Sequence, residues 1–133
     1  MPTVPISDYK VLSDAAVTLV PEPGTGETDE REFSAPLPAD IELSTARQRA
    51  VLMFKAWTEG GNVNARVDVN ANNQRNLSDY RSPVEQTIHE VINMNILRAA
   101  DTNSFRFRVT SGDTGAKLYV SDVILWYQRD VEV

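Results

Sequence analysis

The chain has 133 residues, the length of one ordinary domain, and can bury a hydrophobic core without disulfide or metal cross-links. Hydrophobic residues make up 41% and charged residues 24%, a globular composition that excludes a disordered or collagen-like chain. With 13 Lys and Arg against 19 Asp and Glu the net charge is -6, so we expect no nucleic acid among the partners. The absence of Cys excludes thiol nucleophiles and Cys-based zinc sites.

The start of the chain carries no recognisable sorting signal. Met1–Asp14 lacks a basic start followed by an apolar run, and no later stretch is long enough to cross a bilayer. We expect no membrane span. The sequence does not select a compartment. The protein could act in the cytoplasm, leave the cell without a cleaved signal, belong to a virion or extracellular assembly, or have lost a leader peptide.

Proline and glycine divide the N-terminal third into short pieces, since six of the seven prolines lie within the first 38 residues. This punctuation predicts short extended segments at Tyr9–Leu12, Ala16–Val20 and Ile41–Leu43. Residues 1–14 are expected to form an extended arm, and residues 21–32, with their acidic run, a surface loop.

Two-residue alternation of apolar side chains begins at Ala50 and predicts half-buried strands. The predicted strands are Ala50–Trp57, Val63–Val69, Phe105–Val109 and Leu118–Gln128. The last is apolar on both faces, as expected for the centre of a sheet. Alternation places Leu118, Val120, Ile124 and Trp126 on one of its faces, and Tyr119, Val123, Leu125 and Tyr127 on the other.

The segment from Pro83 to Ala100 fits both a helical and a strand pattern. Its β-branched residues favour a strand at Gln86–Ile92, followed by a short helical turn at Asn95–Ala99. Short strands separated by Gly, Asn and Pro predict an all-β fold, an antiparallel β-sandwich with at most short helical turns. We expect residues 1–133 to form one such domain.

The C-terminal third resembles a known family. Residues 95–109 end a loop in Asn and enter an alternating aromatic strand, and Leu118–Tyr127 follows a tight turn and carries a Ser-Asp-Val step. This arrangement is similar to the jelly-roll sandwich of the galactose-binding-like superfamily, which includes carbohydrate-binding modules. The resemblance implies ligand binding on a sheet face or at a loop rim.

Enzyme chemistry finds little support in the sequence. His89 is the only histidine, and no serine lies in a Gly-x-Ser-x-Gly elbow. Zinc sites normally need two or more His or Cys ligands. Glycoside hydrolysis needs a pair of carboxylates, and the candidates are Asp68, Glu85, Glu90 and Asp122. Their spacing in the sequence does not favour any particular pair. We expect a protein without catalytic residues.

The segment from Asp68 to Asp79 partly matches a calcium-binding loop. Asp68, Asn70, Asn72 and Asp79 would supply oxygen ligands, with Asn73 in the left-handed position. The sixth-position glycine is missing, and an Asn-rich hairpin loop explains the same residues. No cofactor is therefore expected, and calcium stays an alternative.

The most informative predicted surface is a mixed aromatic and polar face. If the strands share a sheet, Trp57 would lie beside Asn64, Arg66, Asp68 and Arg106. Aromatic rings stack on sugar rings while planar polar groups reach the hydroxyls. The sequence thus predicts a non-catalytic carbohydrate-binding module.

A second interpretation belongs to a different class of protein. The chain could be a structural subunit of a larger assembly, such as a phage or virus particle or a tail, with the arm placed against neighbouring subunits. Its partners would then be other subunits, including copies of itself in a homo-oligomer.

Overall fold

The computed structural model describes residues 2–43, 50–92 and 96–132, and the strands within these ranges are all antiparallel to their neighbours. The strands are β1 (Thr3–Ser13), β2 (Val17–Leu19), β3 (Glu30–Pro36), β4 (Val51–Glu59), β5 (Val63–Val69), β6 (Asn72–Tyr80), β7 (Gln86–Val91), β8 (Thr102–Gly112) and β9 (Lys117–Glu132). No helix among the described residues has the length and apolarity needed to cross a bilayer.

The strands form two packed sheets, which confirms the predicted antiparallel β-sandwich. The five-stranded sheet has the order β1–β9–β4–β7, with β2 also paired to β9; the four-stranded sheet has the order β3–β8–β5–β6. The apolar side chains that alternate along β4, β5 and β8 point into the core, as predicted. These buried residues are Leu52, Phe54, Ala56, Val63, Ala65, Val67, Val69, Phe105, Phe107 and Val109.

Three phenylalanine rings join the two sheets at the centre of the core. Phe54 of the five-stranded sheet meets Phe107 of the four-stranded sheet edge to face, with ring centroids 4.9 Å apart. Phe107 meets Phe33 on β3 in the same manner at 5.9 Å. Edge-to-face contacts are the favoured geometry of aromatic pairs, so these rings fix the spacing of the sheets as well as burying surface.

The predicted faces of β9 are wrong after Val120, because the strand contains a β-bulge. Met53 pairs with Ile124 but Lys55 pairs with Ser121, so β9 carries one extra residue between them. Asp122, at φ 50°, lies at this point. The bulge reverses the alternation, because side chains change face when one residue is inserted. Leu118, Val120, Val123, Leu125 and Tyr127 are therefore buried, whereas Tyr119, Ile124 and Trp126 point outward.

The N-terminal third differs from the prediction in three places. The segment expected to be an arm contributes β1, which pairs with β9 from Thr3 to Ser13. The loop expected over residues 21–32 ends earlier, since β3 begins at Glu30. Ile41–Leu43 is not a strand, because only Ile41 forms a bridge, to Arg129. Hydrogen bonds from Arg129 to Asp40, at 2.7 and 2.9 Å, hold this segment against β9 instead.

Two asparagine side chains anchor the loop before β8. Asn103 is fully buried; its amide donates to the carbonyls of Arg98 and Asp101, and its oxygen accepts from Asn70 and from the Arg98 N–H. All four hydrogen-bonding positions of this amide are therefore filled. The helical turn predicted at Asn95–Ala99 is not formed at residues 96–99, which adopt turns and bends, while Asn95 lies outside the described residues.

The β5–β6 hairpin closes through two residues with left-handed backbones. Asn70 and Ala71 have φ of 48° and 65°, between strands that end at Val69 and begin at Asn72. Two consecutive positive φ values in a two-residue loop define a type I′ turn. The left-handed position expected at Asn73 is therefore wrong, because Asn73 is a paired residue of β6.

Replacing Ala71 by glycine should stabilise the protein. A non-glycine residue in this conformation costs on the order of 1 kcal/mol, and Asn-Gly is the preferred pair for the turn. We expect Ala71→Gly to raise the free energy of unfolding in urea by about that amount. Ala15→Gly, at an exposed alanine without a positive φ, is the matched control and should not stabilise. A drop in stability for Ala71→Gly would contradict the strain assigned to the turn.

Candidate functional site

A cleft of about 550 Å³ opens at one end of the sandwich, where three loops meet. Clefts of this size accommodate small-molecule ligands. The cleft lies between the end of β4, the β4–β5 loop, the β6–β7 loop and the β8–β9 turn. Its lining residues are Trp57, Thr58, Glu59, Gly60, Gly61, Arg81, Pro83 and Asp113.

Glycines make the close packing at the base of the cleft feasible. A Cβ on Gly60 would lie 2.8 Å from the carbonyl oxygen of Gly115, and one on Gly61 would lie 2.6 Å from Oδ2 of Asp113. Both glycines also have positive φ, which disfavours side chains. The same Asp113 carboxylate accepts a hydrogen bond from the Asn62 N–H at 2.9 Å. The β4–β5 loop is therefore fixed against the β8–β9 turn.

The opposite wall of the cleft is fastened to β4 by hydrogen bonds. The Ser82 N–H donates to the hydroxyl of the buried Thr58 at 2.8 Å, and the Thr58 N–H donates to the Ser82 carbonyl at 2.6 Å. The Tyr80 hydroxyl donates to the Ala56 carbonyl at 3.0 Å. These bonds hold the β6–β7 loop, and Arg81 with it, beside Trp57.

The cleft combines an aromatic surface with groups of both charges. Trp57 stacks on Tyr119, with ring centroids 5.2 Å apart and planes 13° from parallel. The Tyr119 hydroxyl donates a hydrogen bond to the Glu59 carboxylate at 3.2 Å. Burial is the main cause that raises the pKa of Tyr119, and this hydrogen bond is the second, so the hydroxyl stays protonated. Arg81 is exposed and has no ion pair within the described chain. The arrangement can offer a stacking surface together with hydrogen-bond donors and acceptors.

The structure separates the residues that the sequence analysis placed on one face. Trp57 lies on β4 of the five-stranded sheet, whereas the four polar residues lie on β5 and β8 of the other sheet. The condition that these strands share a sheet is therefore not met. The polar residues are grouped on the outer face of the four-stranded sheet: Asn64, Arg66, Asp68 and Arg106.

Asp68 is the centre of an ion-pair cluster on that face. Its side chain is 1% exposed, with Arg66 at 2.9 Å and Arg106 at 2.9 Å from its two oxygens. Burial raises the pKa of Asp68, but hydrogen bonds from Arg106 and Arg66 and their charges outweigh burial, so the pKa lies below the ordinary 3.8. Glu30 lies 3.7 Å from Arg106 and extends the cluster. The carboxylate is thus saturated by protein partners.

The calcium alternative is not supported by the geometry. Both oxygens of Asp68 are taken by arginines, and the Asn70 side chain bonds to Ile96, Asn103 and Ser104. Asp79 lies near the opposite end of β6, roughly 20 Å along the strand from the Asp68 pairing position. In the described residues, no three His, Cys, Asp or Glu side chains form a group able to hold a metal ion.

Three polar residues of the cleft were missed in the sequence: Glu59, Arg81 and Asp113. The turn-forming sequences around them were visible, since Gly60-Gly61 and Asp113-Thr114-Gly115 both predict turns. Their convergence depends on the pairing of β4 with β9 and on the Thr58–Ser82 hydrogen bonds. No local pattern contains that information.

The comparisons with known proteins concern the fold. No family model matches the chain, and no curated protein matches it. The chain is similar to part of dimeric latent PorU from Porphyromonas gingivalis, with a TM-score of 0.64 and 11% identity over 98% of this chain. It spans 13% of the PorU chain. At this identity the likeness shows the β-sandwich fold alone.

Two carbohydrate-binding-module domains are also among the similar structures. One is the CBM36-1 domain of a multidomain xylanase from the hindgut metagenome of Trinervitermes trinervoides, with a TM-score of 0.48 and 9% identity over 91% of this chain and 96% of that one. The other is the C-terminal CBM6 of LamC from Zobellia galactanivorans, with a TM-score of 0.46 and 12% identity over 92% and 99%.

Removing the Asp68 carboxylate should lower the free energy of unfolding at neutral pH. It should also make that free energy change less as the pH is lowered. The unfolded chain takes up this proton near pH 3.8, but the folded protein holds it off until lower pH. Stabilisation is therefore present above pH 3.8 and is lost as the pH falls through the folded pKa. We expect Asp68→Asn to lose about 1–3 kcal/mol at neutral pH in urea unfolding.

The matched control for this variant is Asp79→Asn, an exposed carboxylate on the neighbouring strand. It should leave the stability at neutral pH close to that of the parent protein. Equal acid sensitivity of Asp68→Asn and the parent would show that the arginine pairs contribute nothing to folding.

Proposed function

We propose that the protein is a non-catalytic carbohydrate-binding domain and that the loop cleft containing Trp57 is its binding site. The observation that carries this proposal is the juxtaposition of an aromatic ring with Glu59, Arg81 and Asp113 in one open cleft of ligand size. Sugars present apolar C–H faces and rings of hydroxyls, which an indole and a few charged groups satisfy together.

The polar groups of the cleft favour recognition over catalysis. The Glu59 carboxylate accepts from the Tyr119 hydroxyl, and the Asp113 carboxylate accepts from the Asn62 N–H. Each is held by the fold and still has acceptor capacity for a sugar hydroxyl. His89, the only histidine, lies on β7 at the pairing position opposite Met53, outside the residues that line the cleft. The proposal therefore assigns these side chains to hydrogen bonding.

The proposal predicts that Trp57 is required for binding. A panel of neutral and acidic oligosaccharides, titrated by calorimetry, should contain a ligand whose affinity falls at least about tenfold in Trp57→Ala, as expected for an aromatic anchor. Trp57→Phe keeps a smaller ring and should retain intermediate affinity. In Trp126→Phe, Trp57 is the remaining tryptophan, and its emission should change on titration. Unchanged affinity in a folded Trp57→Ala would contradict the site.

A pair of arginine variants distinguishes the cleft from the face that the sequence first suggested. Arg81 lines the cleft, whereas Arg66 belongs to the ion-pair cluster on the other sheet. We expect Arg81→Ala to weaken the same ligand about tenfold, because it removes a charged hydrogen-bond donor. Arg66→Ala should bind as the parent does. The reverse result would return the binding site to the four-stranded sheet.

A further inference from the structure

The outer face of the five-stranded sheet is apolar in the middle of the sheet. Rows of side chains cross it at matching pairing positions: Tyr9, Trp126, Val51 and Val91 form one row, and Val11, Ile124 and Met53 lie in the next. We call these seven residues the apolar face; the second row ends on β7 at the exposed His89, which pairs with Met53. Four of the seven large hydrophobic residues that are exposed in the described chain belong to it, so the exposed apolar surface is concentrated there.

The other sheet of the same molecule shows what a solvated outer face looks like. Its outward positions carry alternating charges, with Glu32 opposite Arg106 and Asp68 next in the same row. An antiparallel sheet with one face in water normally has this pattern. The five-stranded sheet departs from it at the apolar face, where seven outward residues in two rows are apolar, although Lys55, Thr87 and His89 also point outward from the same sheet. A second layer covering this sheet would account for the difference.

We propose that this layer is a second copy of the chain, packed with its apolar face against the first in a symmetric dimer. Sheets pack face to face at about 10 Å, and a two-fold axis brings the same apolar rows together from both sides. The exposed fractions of Tyr9, Val11, Val91 and Trp126 are 52%, 54%, 50% and 40%. With the partly exposed neighbours they present roughly 500 Å² per copy, so a dimer that covers this face completely would bury about 1,000 Å², the size of a weak, reversible interface.

The charge distribution favours a second copy over a charged partner. The chain has a net charge of -6, so two copies repel unless they meet through a neutral surface. Beside the apolar face, Lys55 and Asp122 neutralise one another at 3.7 Å. Acidic groups are concentrated elsewhere, in the β2–β3 loop and beside Arg129 at the edge of the sandwich. The apolar face is the surface on which self-association costs least.

The contact between Tyr9 and Trp126 supplies a spectroscopic reporter. Their ring centroids are 5.1 Å apart on the apolar face, and Trp57→Phe leaves Trp126 as the remaining tryptophan. In that variant, dimer formation should shift Trp126 emission to shorter wavelength as concentration rises, because the indole leaves water. This signal is independent of the cleft and of any sugar.

Sedimentation velocity of the full chain over a range of concentrations tests the proposal. We expect the mass to rise from 14.8 kDa towards twice that value, and Val91→Asp to raise the dimer dissociation constant at least about tenfold. Val84→Asp is the matched control, since Val84 is 71% exposed but lies in the β6–β7 loop, and it should dimerise as the parent does.

Three outcomes would overturn the dimer. A parent protein that stays at 14.8 kDa at every concentration would do so, as would equal dissociation of the Val84→Asp and Val91→Asp variants. A Trp126 signal that responds to oligosaccharide in a monomeric Trp57→Phe variant would assign the face to a glycan. Because the sedimentation measurement uses no ligand, failure of the dimer leaves the proposed cleft function standing, and the converse also holds.

Discussion

A single extra residue in β9 decides what the five-stranded sheet buries and what it exposes. Before the bulge, Leu118 and Val120 point into the core; after it, Val123 and Leu125 do so. Without the insertion, strict alternation would direct Trp126 inward and Leu125 into water. The left-handed backbone at Asp122 carries this reversal, and the Lys55–Asp122 pair lies above it. The core and the outer surface of the sheet depend on the same feature.

The two outer faces differ because the central strands β8 and β9 differ in composition. In the four-stranded sheet the bulge of the central strand β8 lies near the end of the strand, between Val109 and Ser111, and the outward positions before it keep arginines that pair with Asp68, Glu30 and Glu32 across the ladders. In the five-stranded sheet, β9 is apolar on both sides, so whichever register it adopts leaves apolar side chains outside. One sandwich therefore presents a charged face and an apolar face in opposite directions.

The alternation of apolar and polar residues was sufficient to predict which side chains are buried wherever a two-residue period continues without a bulge. β4, β5 and the Phe105–Val109 part of β8 alternate strictly, so Phe54, Val67 and Phe107 could be placed in the core from the sequence. β9 could not, because its register changes at Ser121-Asp122, although this polar pair inside an apolar run is a visible signal of irregularity. Sheet membership was also invisible. Trp57 and Arg66 both point outward, but alternation does not say that they point from opposite sides of a sandwich.

The cleft and the apolar face occupy different parts of one rigid strand. Trp57 lies at the loop end of β4, and Met53, the nearest β4 residue of the apolar face, lies four residues away, roughly 13 Å. A symmetric pair of copies would hold two clefts in a fixed relation to one another. Attachment of the second cleft to a polymeric sugar then becomes an intramolecular step, which raises avidity without any new contact. A shallow, open cleft gains most from this arrangement, because its single-site affinity rests on few contacts.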